Sequence, residues 1–429
     1  MDKIKRLIAV LLCGILVLGI AALTGCSSAE EPGKILPGEV PDDDDPEDDD
    51  PSDDPSNIEN GIYITAFNGA TVDILAPKLR EYLDEDDFDK QCSFLVENKL
   101  KVYDSQCVFF EWGSAASSNF TVKIADNKNF TDAIVLKTRN YDILPGFLIP
   151  GKTYYWRVED ETTYEHSKTD SFTVKDSPVR IISMDGAFNV RDLGGWTAAD
   201  GKTVKYGLLY RGGKINSGNA TTLTVEGKNI YENILKIKGE IDLRGSDDYG
   251  QTQNCVNSAN PYLKAPYTGY TTIFPEFSQK TPVNRVYDAK SAGSMKAIFE
   301  FLADESNYPV YFHCNAGADR TGTLAFLING LLGVSYEDLT RDFEITSFSS
   351  QNVGNLEQRK RWRGSEENFR DGVMQDTSGN YVAWGKMYEF LMEHYGAGTT
   401  LSGAIENYLT TACSVAKSDL DKIRAIMLG

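Results

Sequence analysis

Histidine is scarce in this 429-residue sequence, which contains only His166, His313 and His394. Three histidines placed so far apart are too few and too scattered for a histidine-based metal cluster. The sequence therefore predicts no metal site, and we expect no cofactor.

The chain also lacks an excess of basic residues, because 63 Asp and Glu outnumber 43 Lys and Arg. Residues 41–55 alone carry ten acids and no base, and from Arg180 onwards 26 basic and 29 acidic residues nearly cancel. Neither region predicts nucleic-acid binding. The acidic run repels itself and is interrupted by Pro, so we expect residues 26–58 to form an extended, solvated tether. A calcium site is the alternative, although the Gly turn and the spacing of a calcium loop are missing.

Residues 1–25 are predicted to be a lipoprotein signal peptide. Three basic residues precede an apolar stretch over residues 7–23, which is the pattern of a secretory signal. The sequence LTGC, ending at Cys26, resembles a bacterial lipobox, and the resemblance implies cleavage before Cys26 and a lipid on its sulfur. A signal-anchor helix is the alternative, since the apolar stretch has the minimum length for spanning a bilayer. Both interpretations place the remaining chain outside the cytoplasmic membrane, at a bacterial cell surface or in a periplasm, and tethered to the membrane.

Residues 59–177 are predicted to form an all-β sandwich. Segments with the two-residue alternation of half-buried strands are VFFEWGS (108–114), FTVKIAD (120–126), AIVLKT (133–138), TYYWRVED (153–160) and DSFTVKD (170–176). The stretches FEW, LIPGKTYYWRV and SFTV resemble a fibronectin type III or immunoglobulin-like module. Residues 75–86 have a helical pattern that does not fit such a module. We expect this domain to be a spacer or a surface-docking module.

From residue 178 to residue 429 the pattern changes to alternating strands and helices, which predicts an α/β domain. GEIDLRG (239–245) and YPVYFHC (308–314) are predicted strands, with a helix over residues 291–304 between them. A further helix over residues 322–333 ends at Gly333, and Ser335 is the predicted cap of the next helix. Because ligands bind at the carboxyl ends of strands in such sheets, the loop after YPVYFHC is a candidate site.

The stretch HCNAGADRTG joins this strand to the following helix through a tight turn. Such a loop points successive backbone N–H groups into one concavity at the positive end of the helix dipole, where one tetrahedral oxyanion can bind. Gly317 permits the turn and a close approach of the anion. The predicted anion-binding residues are Asn315, Ala316, Gly317 and Ala318.

Three side chains of the same stretch suit an attack on phosphorus. Cys314 lies at the floor of the nest, where the N–H groups stabilise a thiolate, and a thiolate below a bound phosphate is a nucleophile. Arg320 offers a planar fork to two oxygens of the anion. Thr321 can donate a hydrogen bond to the thiolate when it leaves. The alternative is a buried structural cysteine before a helix, with Arg320 at the surface.

The pattern His-Cys-x5-Arg-Thr with an internal Gly resembles the signature loop of the cysteine-dependent protein tyrosine phosphatase superfamily. Four stretches of the chain occur in the order seen in bacterial dual-specificity phosphatases with an Asp-Arg-Thr-Gly loop. They are FNVRDLGGWTAADGKTVKYGLLYRGG (188–213), EIDLRG, HCNAGADRTGT and the C-terminal IENYLTTACSVAKSDLDKIRAIML. The resemblance implies a central sheet flanked by helices and a two-step reaction through a phosphocysteine, without a metal. The predicted protein is therefore multidomain, with an all-β sandwich followed by an α/β cysteine-phosphatase domain.

The proposed reaction also needs a general acid that protonates the leaving oxygen. Related tyrosine phosphatases carry an Asp on a separate loop, but no Trp-Pro-Asp occurs between Arg244 and Cys314. For the Asp-Arg-Thr-Gly branch the resemblance implies Asp319, and a bound oxyanion beside this carboxyl would disfavour its ionised form. Asp248 and Glu276 are the next candidates.

Other polar residues near the loop have structural interpretations. His313 is predicted to orient the loop and to tune Cys314 rather than to act as a base. Asp192, Asp242 and Arg244 are predicted to tie strands and turns beside the pocket.

The remaining cysteines leave open questions. Cys92 and Cys107 flank one predicted loop and either pair in an oxidising compartment or remain separate thiols. Cys255 or Cys413 is a candidate disulfide partner that would protect Cys314 from oxidation.

The loop contains no lysine, whereas phosphoinositide-cleaving relatives usually carry one there. This favours a phosphotyrosine protein or peptide as substrate, with dual specificity included. A basic segment around residues 359–363 keeps an inositol-phosphate or phosphoinositide phosphatase as the alternative. A surface binding protein with an inactive phosphatase-like domain is a third interpretation.

Overall fold

The computed structural model describes residues 58–59, 61–87, 90–91, 94, 108–114, 119–218, 221–245, 251–267, 289–349 and 382–429. The predicted signal peptide, the lipid site Cys26, nearly all of the acidic tether, Cys92 and Cys107 lie outside these residues. Residues 51–429 form one compact unit. Of the helices in the described ranges, none has both the length and the apolarity that crossing a membrane requires.

The N-terminal part of this unit is built from short strands. In chain order they are β1 (Ile58–Glu59), β2 (Ile62–Ile64), β3 (Thr71–Val72), β4 (Phe110–Ser114), β5 (Phe120–Ala125), β6 (Ile134–Thr138), β7 (Asp142–Ile143), β8 (Thr153–Asp160) and β9 (Asp170–Val174). They form two sheets, with the orders β1-β2-β4-β7 and β3-β9-β8-β5-β6. Each of the five segments predicted as strands contains one. The assignment of these sheets to the fibronectin type III family remains a prediction.

A third sheet carries the C-terminal part of the chain. Its strands are β10 (Arg191–Asp192), β11 (Leu209–Gly212), β12 (Gly239–Asp242), β13 (Tyr262–Lys264) and β14 (Val310–His313). The order is β10-β11-β14-β12-β13, and only β10 is antiparallel to its neighbour. The central strand β14 is therefore hydrogen-bonded on both sides, which confirms the predicted α/β domain with a central sheet.

Helices surround this sheet. In chain order the α-helices with defined bounds in the described part of the chain are α1 (Pro77–Leu83), α2 (Val225–Asn229), α3 (Ala289–Leu302), α4 (Asp319–Leu331), α5 (Tyr336–Ile345), α6 (Val382–Tyr395), α7 (Leu401–Asn407) and α8 (Lys417–Leu428). Helices α2 and α7 each continue into a π-helical turn. The predicted cap of α5 is confirmed, because the Ser335 hydroxyl accepts a hydrogen bond from the Asp338 N–H at 3.1 Å.

Strand β14 contributes to two clusters of buried apolar residues. Val310 and Phe312 belong to the cluster that contains helices α3 and α4, which we name the α/β core. Tyr311 belongs to a cluster that also contains the inner residues of the N-terminal sheets, which we name the shared core. Because β14 is buried on both faces, as is usual for a central parallel strand, the position of its carboxyl end is fixed from both sides.

Candidate active site

The loop predicted to bind an anion joins β14 to α4 at the carboxyl edge of the sheet. Gly317 has a φ of +68°, in the left-handed region that favours glycine. A Cβ atom at this position would lie 2.4 Å from the carbonyl carbon of Gly212, at the end of β11. Backbone conformation and space therefore both require glycine here.

Two carbonyl groups of the loop are held from behind. The Nδ2 atom of Asn189 donates to the carbonyl oxygens of Ala316 and Gly317, each at 3.1 Å. The Nη2 atom of Arg211 donates to the Gly317 oxygen at 3.0 Å. In a planar trans peptide the N–H points opposite to the C=O, so the N–H groups of Gly317 and Ala318 point away from this frame. A nest of backbone donors requires this arrangement.

Behind the loop, two buried arginines share one buried aspartate. Asp342 on α5 accepts a hydrogen bond from the Arg191 Nε at 2.8 Å and another from the Arg211 Nη1. Burial alone would raise the pKa of Asp342, but the two arginines lower it below its ordinary value. Burial and the neighbouring Arg191 lower the pKa of Arg211 to about 10, so this side chain is still charged at neutral pH. The cluster therefore keeps a net positive charge, and Arg211 interacts electrostatically with Cys314.

His313 is fixed by contacts on both ring nitrogens. Its Nε2 lies 2.9 Å from the Glu240 Oε1 on β12, and both side chains are fully buried. Its Nδ1 lies 3.3 Å from the carbonyl oxygen of Cys314. Glu240 in turn accepts hydrogen bonds from the Gln251 Nε2 and from the Cys255 N–H, both at 2.7 Å. These contacts suit an orienting role for His313, which stays a prediction.

Cys314 and Arg320 lie at the same edge of the sheet. Cys314 is 3% exposed. The Arg320 Nη1 donates to the Leu243 carbonyl, just past the end of β12, at 3.4 Å, so the side chain lies along the sheet edge. The Tyr267 hydroxyl donates to the Arg320 carbonyl and interacts electrostatically with the side chains of both Arg320 and Cys314.

Thr321 is fully buried in the first turn of α4. Within the described part of the chain its hydroxyl has no hydrogen-bond partner, so it is not hydrogen-bonded to Cys314 either. Leaving a buried hydroxyl unsatisfied destabilises the fold by about 1–3 kcal/mol. The predicted role as a donor to a departing thiolate would supply the missing partner.

Asp319, the preferred candidate for the general acid, lies in the first turn of α4 and is half-buried. Other carboxylates lie between Arg244 and Cys314 in the sequence. Asp304 and Glu305 lie at the opposite edge of the sheet, before the start of β14, where Asp304 caps a short turn. These positions favour Asp319 over Asp304 and Glu305. Outside the described residues lie Asp247, Asp248, Glu276, Asp288 and the basic segment around residues 359–363.

The predicted structural ties around the loop are present. Asp192 accepts hydrogen bonds from the Gly194 and Gly207 N–H groups at 2.9 and 2.7 Å. Asp242 binds the Nε and Nη2 atoms of Arg244 at 2.8 and 2.9 Å.

Neither of the two thiols suggested as partners, Cys255 and Cys413, forms a disulfide with Cys314. Burial and the charge of Glu240 raise the pKa of the Cys255 thiol far above its ordinary value. A thiol that resists ionisation is a poor partner in disulfide exchange, which argues against Cys255 in this role. Cys413 is buried at the C-terminal end of the π-helical turn after α7.

Sequence reasoning missed the side chains that hold the loop, which are Asn189, Arg191, Arg211, Glu240 and Asp342. A usable signal was present for Arg211 and Glu240, which are charged residues directly beside apolar residues in the short strands LYRG and GEID. A charge inside a buried strand needs a partner. The sequence does not say which partner, because the hydrogen bonds of these residues span as many as 157 positions.

Comparison with known proteins gives a family match and matches to individual proteins. The model of a family described as "Tyrosine phosphatase family" matches residues 182–429. A Cupriavidus necator protein, provisionally named a tyrosine-protein phosphatase, is 26% identical over 173 residues, covering 38% of this chain and 61% of that protein. A tyrosine-protein phosphatase of Nostoc commune is 28% identical over 123 residues, covering 26% of this chain and 41% of that protein. The matched regions thus span less than two thirds of either relative.

Among solved structures, the core catalytic domain of a PP-IP phosphatase from S. cerevisiae, in complex with citrate, aligns with a TM-score of 0.23 and 15% identity. The alignment covers 41% of this chain and 88% of that one. A TM-score this low supports no conclusion about the chain.

Proposed function

The chain belongs to the tyrosine phosphatase family, and we propose that it hydrolyses phosphate monoesters at Cys314, with a phosphotyrosine protein or peptide as preferred substrate. One observation carries this proposal. The cysteine lies at the end of a central strand, directly before a loop whose carbonyl groups are held back by Asn189 and Arg211. The N–H groups opposite those carbonyls are placed to bind the oxygens of a phosphate.

In the first step, the Cys314 Sγ attacks phosphorus and the bond from phosphorus to the tyrosine oxygen breaks. Asp319 donates its proton to the leaving oxygen. The loop N–H groups and Arg320 hold the three remaining oxygens, where charge accumulates in the transition state.

In the second step, Asp319 takes a proton from water, and the water oxygen attacks the phosphocysteine. The bond from phosphorus to sulfur breaks, inorganic phosphate forms and Cys314 leaves as a thiolate. Thr321 donates a hydrogen bond to this departing sulfur, which uses the buried hydroxyl that has no partner in the described residues.

A single phosphate group suits the charges at this loop. Residues 315–318 carry no cationic side chain. Among the described residues, Arg320 and the surplus charge of the buried cluster behind the loop supply positive charge to the proposed anion site. A polyphosphorylated ring would need further cations around the first phosphate. This supports phosphotyrosine over inositol polyphosphates.

The experiment is phosphate release from a panel of phosphotyrosine and phosphoserine peptides, inositol phosphates and phosphoinositides. The Cys314→Ser variant is the control, since it replaces one atom. We expect the highest kcat/KM on phosphotyrosine peptides and a loss of at least about a thousandfold in the variant. A higher kcat/KM on inositol phosphates would overturn the substrate assignment, and equal rates in both proteins would overturn the proposal itself.

The location of the protein is part of the proposal. The apolar N-terminal stretch and the LTGC sequence support lipid attachment at Cys26, with the acidic run as an extracytoplasmic tether. Metabolic labelling with a radioactive fatty acid tests this, and Cys26→Ala should abolish the label. Label retained in the Cys26→Ala variant would contradict lipid attachment at Cys26. In intact cells that lack an outer membrane, an enzyme that resists added protease would contradict the extracytoplasmic location.

A further inference from the structure

Helix α1 lies far outside the range that the family model matches, yet it packs into the same core. Leu79 and Tyr82 are fully buried and belong to the α/β core together with Val310 and Phe312 of β14. Ile74, just before the helix, belongs to the shared core instead. After Ile74 the chain therefore moves from the N-terminal sheets onto the α/β domain.

The first contact of α1 is with α5. The Tyr82 hydroxyl donates a hydrogen bond to the Glu344 Oε2, and both side chains are fully buried. The Tyr82 ring packs against Phe348 with a centroid distance of 5.4 Å. Gln91 adds a second link, because its Nε2 donates to the Tyr82 carbonyl at 3.0 Å and its Oε1 accepts from the Arg341 Nε at 3.3 Å.

The second contact of α1 is with the frame behind the loop. Leu79 lines a small cavity whose other walls include Asn189, Arg191 and Phe348. Asn189 holds two loop carbonyls, and Arg191 donates to the Asn189 Oδ1 at 2.7 Å. A single side chain of α1 therefore lies beside the residues that set the conformation of the loop.

Both contacts lead to the same group of side chains. Glu344 and Asp342 lie on the same last turn of α5, and Asp342 binds both arginines of the frame. A shift of α5 would move Asp342 and, through Arg211, the carbonyl of Gly317.

We propose that α1 is a positioning element for the catalytic loop, acting through Glu344 on α5 and through the Asn189–Arg191 pair. This inference rests on the proposed function. Well-packed helices move as rigid units, and a misplacement of about 1 Å at a catalytic site can lower a rate about a hundredfold. The N-terminal segment is thus part of the catalytic apparatus as well as a spacer.

The experiment compares two buried Tyr→Phe variants of the full chain. Tyr82→Phe removes the hydroxyl that binds Glu344. Tyr308→Phe is the matched control, because Tyr308 lies in the same core and its hydroxyl donates to the Leu302 carbonyl, before the start of β14 and away from the loop. Unfolding by urea gives the stability of each variant.

The geometry of the loop is measured without catalysis by the rate at which Cys314 is alkylated, which mass spectrometry of its peptide records. Iodoacetate carries a carboxylate that the loop can bind, whereas iodoacetamide is neutral, so the ratio of their rate constants measures the anion nest. We expect Tyr82→Phe to lower this ratio and kcat/KM on an aryl phosphate about fivefold or more. Tyr308→Phe should change both by less than about twofold at a similar stability.

A second pair of variants covers the case that Tyr82→Phe does not fold. Leu79→Ala widens the cavity beside Asn189 and should lower the ratio of the two alkylation rate constants. Leu79→Met nearly conserves the side-chain volume and should keep this ratio close to that of the wild type. Equal changes of this ratio in the Tyr82 and Tyr308 variants would overturn the positioning role, and so would a ratio that is as low in Leu79→Met as in Leu79→Ala. The alkylation-rate ratio of the wild type could be high and depend on α1 while the protein shows no hydrolysis that requires Cys314. That result would overturn the proposed function instead.

Discussion

The catalytic loop and the frame behind it are built from opposite kinds of residue. Between Cys314 and Asp319 the loop contains only Asn-Ala-Gly-Ala, and its proposed work is done by backbone groups. The frame consists of large, buried polar and charged side chains, among them Arg191, Arg211 and Asp342. The shape of the anion nest is therefore imposed by residues that lie 106 to 128 positions away from the carbonyls they hold. In the proposed mechanism a short motif carries the chemistry, and distant parts of the chain hold that motif in position.

The largest effect should come from breaking the frame. Asp342→Ala leaves two buried guanidinium groups without their carboxylate, and we expect the free energy of unfolding to fall by about 3–5 kcal/mol. Asp338→Ala on the same helix is the control, since its partly exposed pair with Arg341 contributes less than about 1 kcal/mol. Urea unfolding measures both. Similar losses in the two variants would show that the buried cluster is not what stabilises this region.

Changing the chemistry of the loop should affect catalysis without affecting the frame. Asp319→Asn removes the proposed proton donor, so hydrolysis of phosphotyrosine should slow about a hundredfold to a thousandfold, with a much smaller loss on nitrophenyl phosphate. The good leaving group of the second substrate needs no proton. Equal losses on both substrates would assign the general acid to another carboxylate, and unchanged urea unfolding is the control.

At Gly317 the loop and the frame meet. Gly317→Ala places a Cβ against the backbone of Gly212, and the displaced loop should lower kcat/KM about a hundredfold. Gly201→Ala separates this clash from backbone strain, because Gly201 has a φ of +81° but nothing within 4 Å of its added Cβ. If the two variants are equally active, contact with β11 does not set the loop conformation.

The smallest effect concerns pH. The pKa of Asp342 is lowered in the folded state, so its contribution to stability is complete above the ordinary carboxyl pKa of about 4 and is lost as the pH falls through the folded value. Between about pH 5 and pH 3 the unfolding free energy of the wild type should fall more steeply than that of Asp342→Asn. Parallel pH profiles would mean that Asp342 titrates alike in both states.

The sequence predicted what depends on local pattern. The strand, turn and helix around Cys314 follow from an apolar run, a glycine and a helical period, and the predicted helix over residues 75–86 is present as α1. Boundaries were less accurate where a side chain ended an element. The predicted strand over residues 239–245 stops at Asp242, because the Asp242 Oδ1 binds the Arg244 N–H at 3.0 Å and turns the chain.

The sequence could not predict which elements pack together. An apolar helix face indicates that it is buried but not against what, so the packing of Leu79 and Tyr82 on the α/β core could not be foreseen. The same holds for Arg211, whose partners Asp342 and Gly317 lie more than 100 positions further along the chain.

The two faces of β14 also bear on how such a protein can evolve. Since Tyr311 belongs to the shared core, which joins residues of the N-terminal sheets to residues of the α/β domain, the upstream region is not an exchangeable cassette. Recombination that replaced it would remove part of the apolar cluster to which the strand before the nucleophile belongs. Descendants that keep the enzyme must inherit both halves together or rebuild the missing part of that cluster.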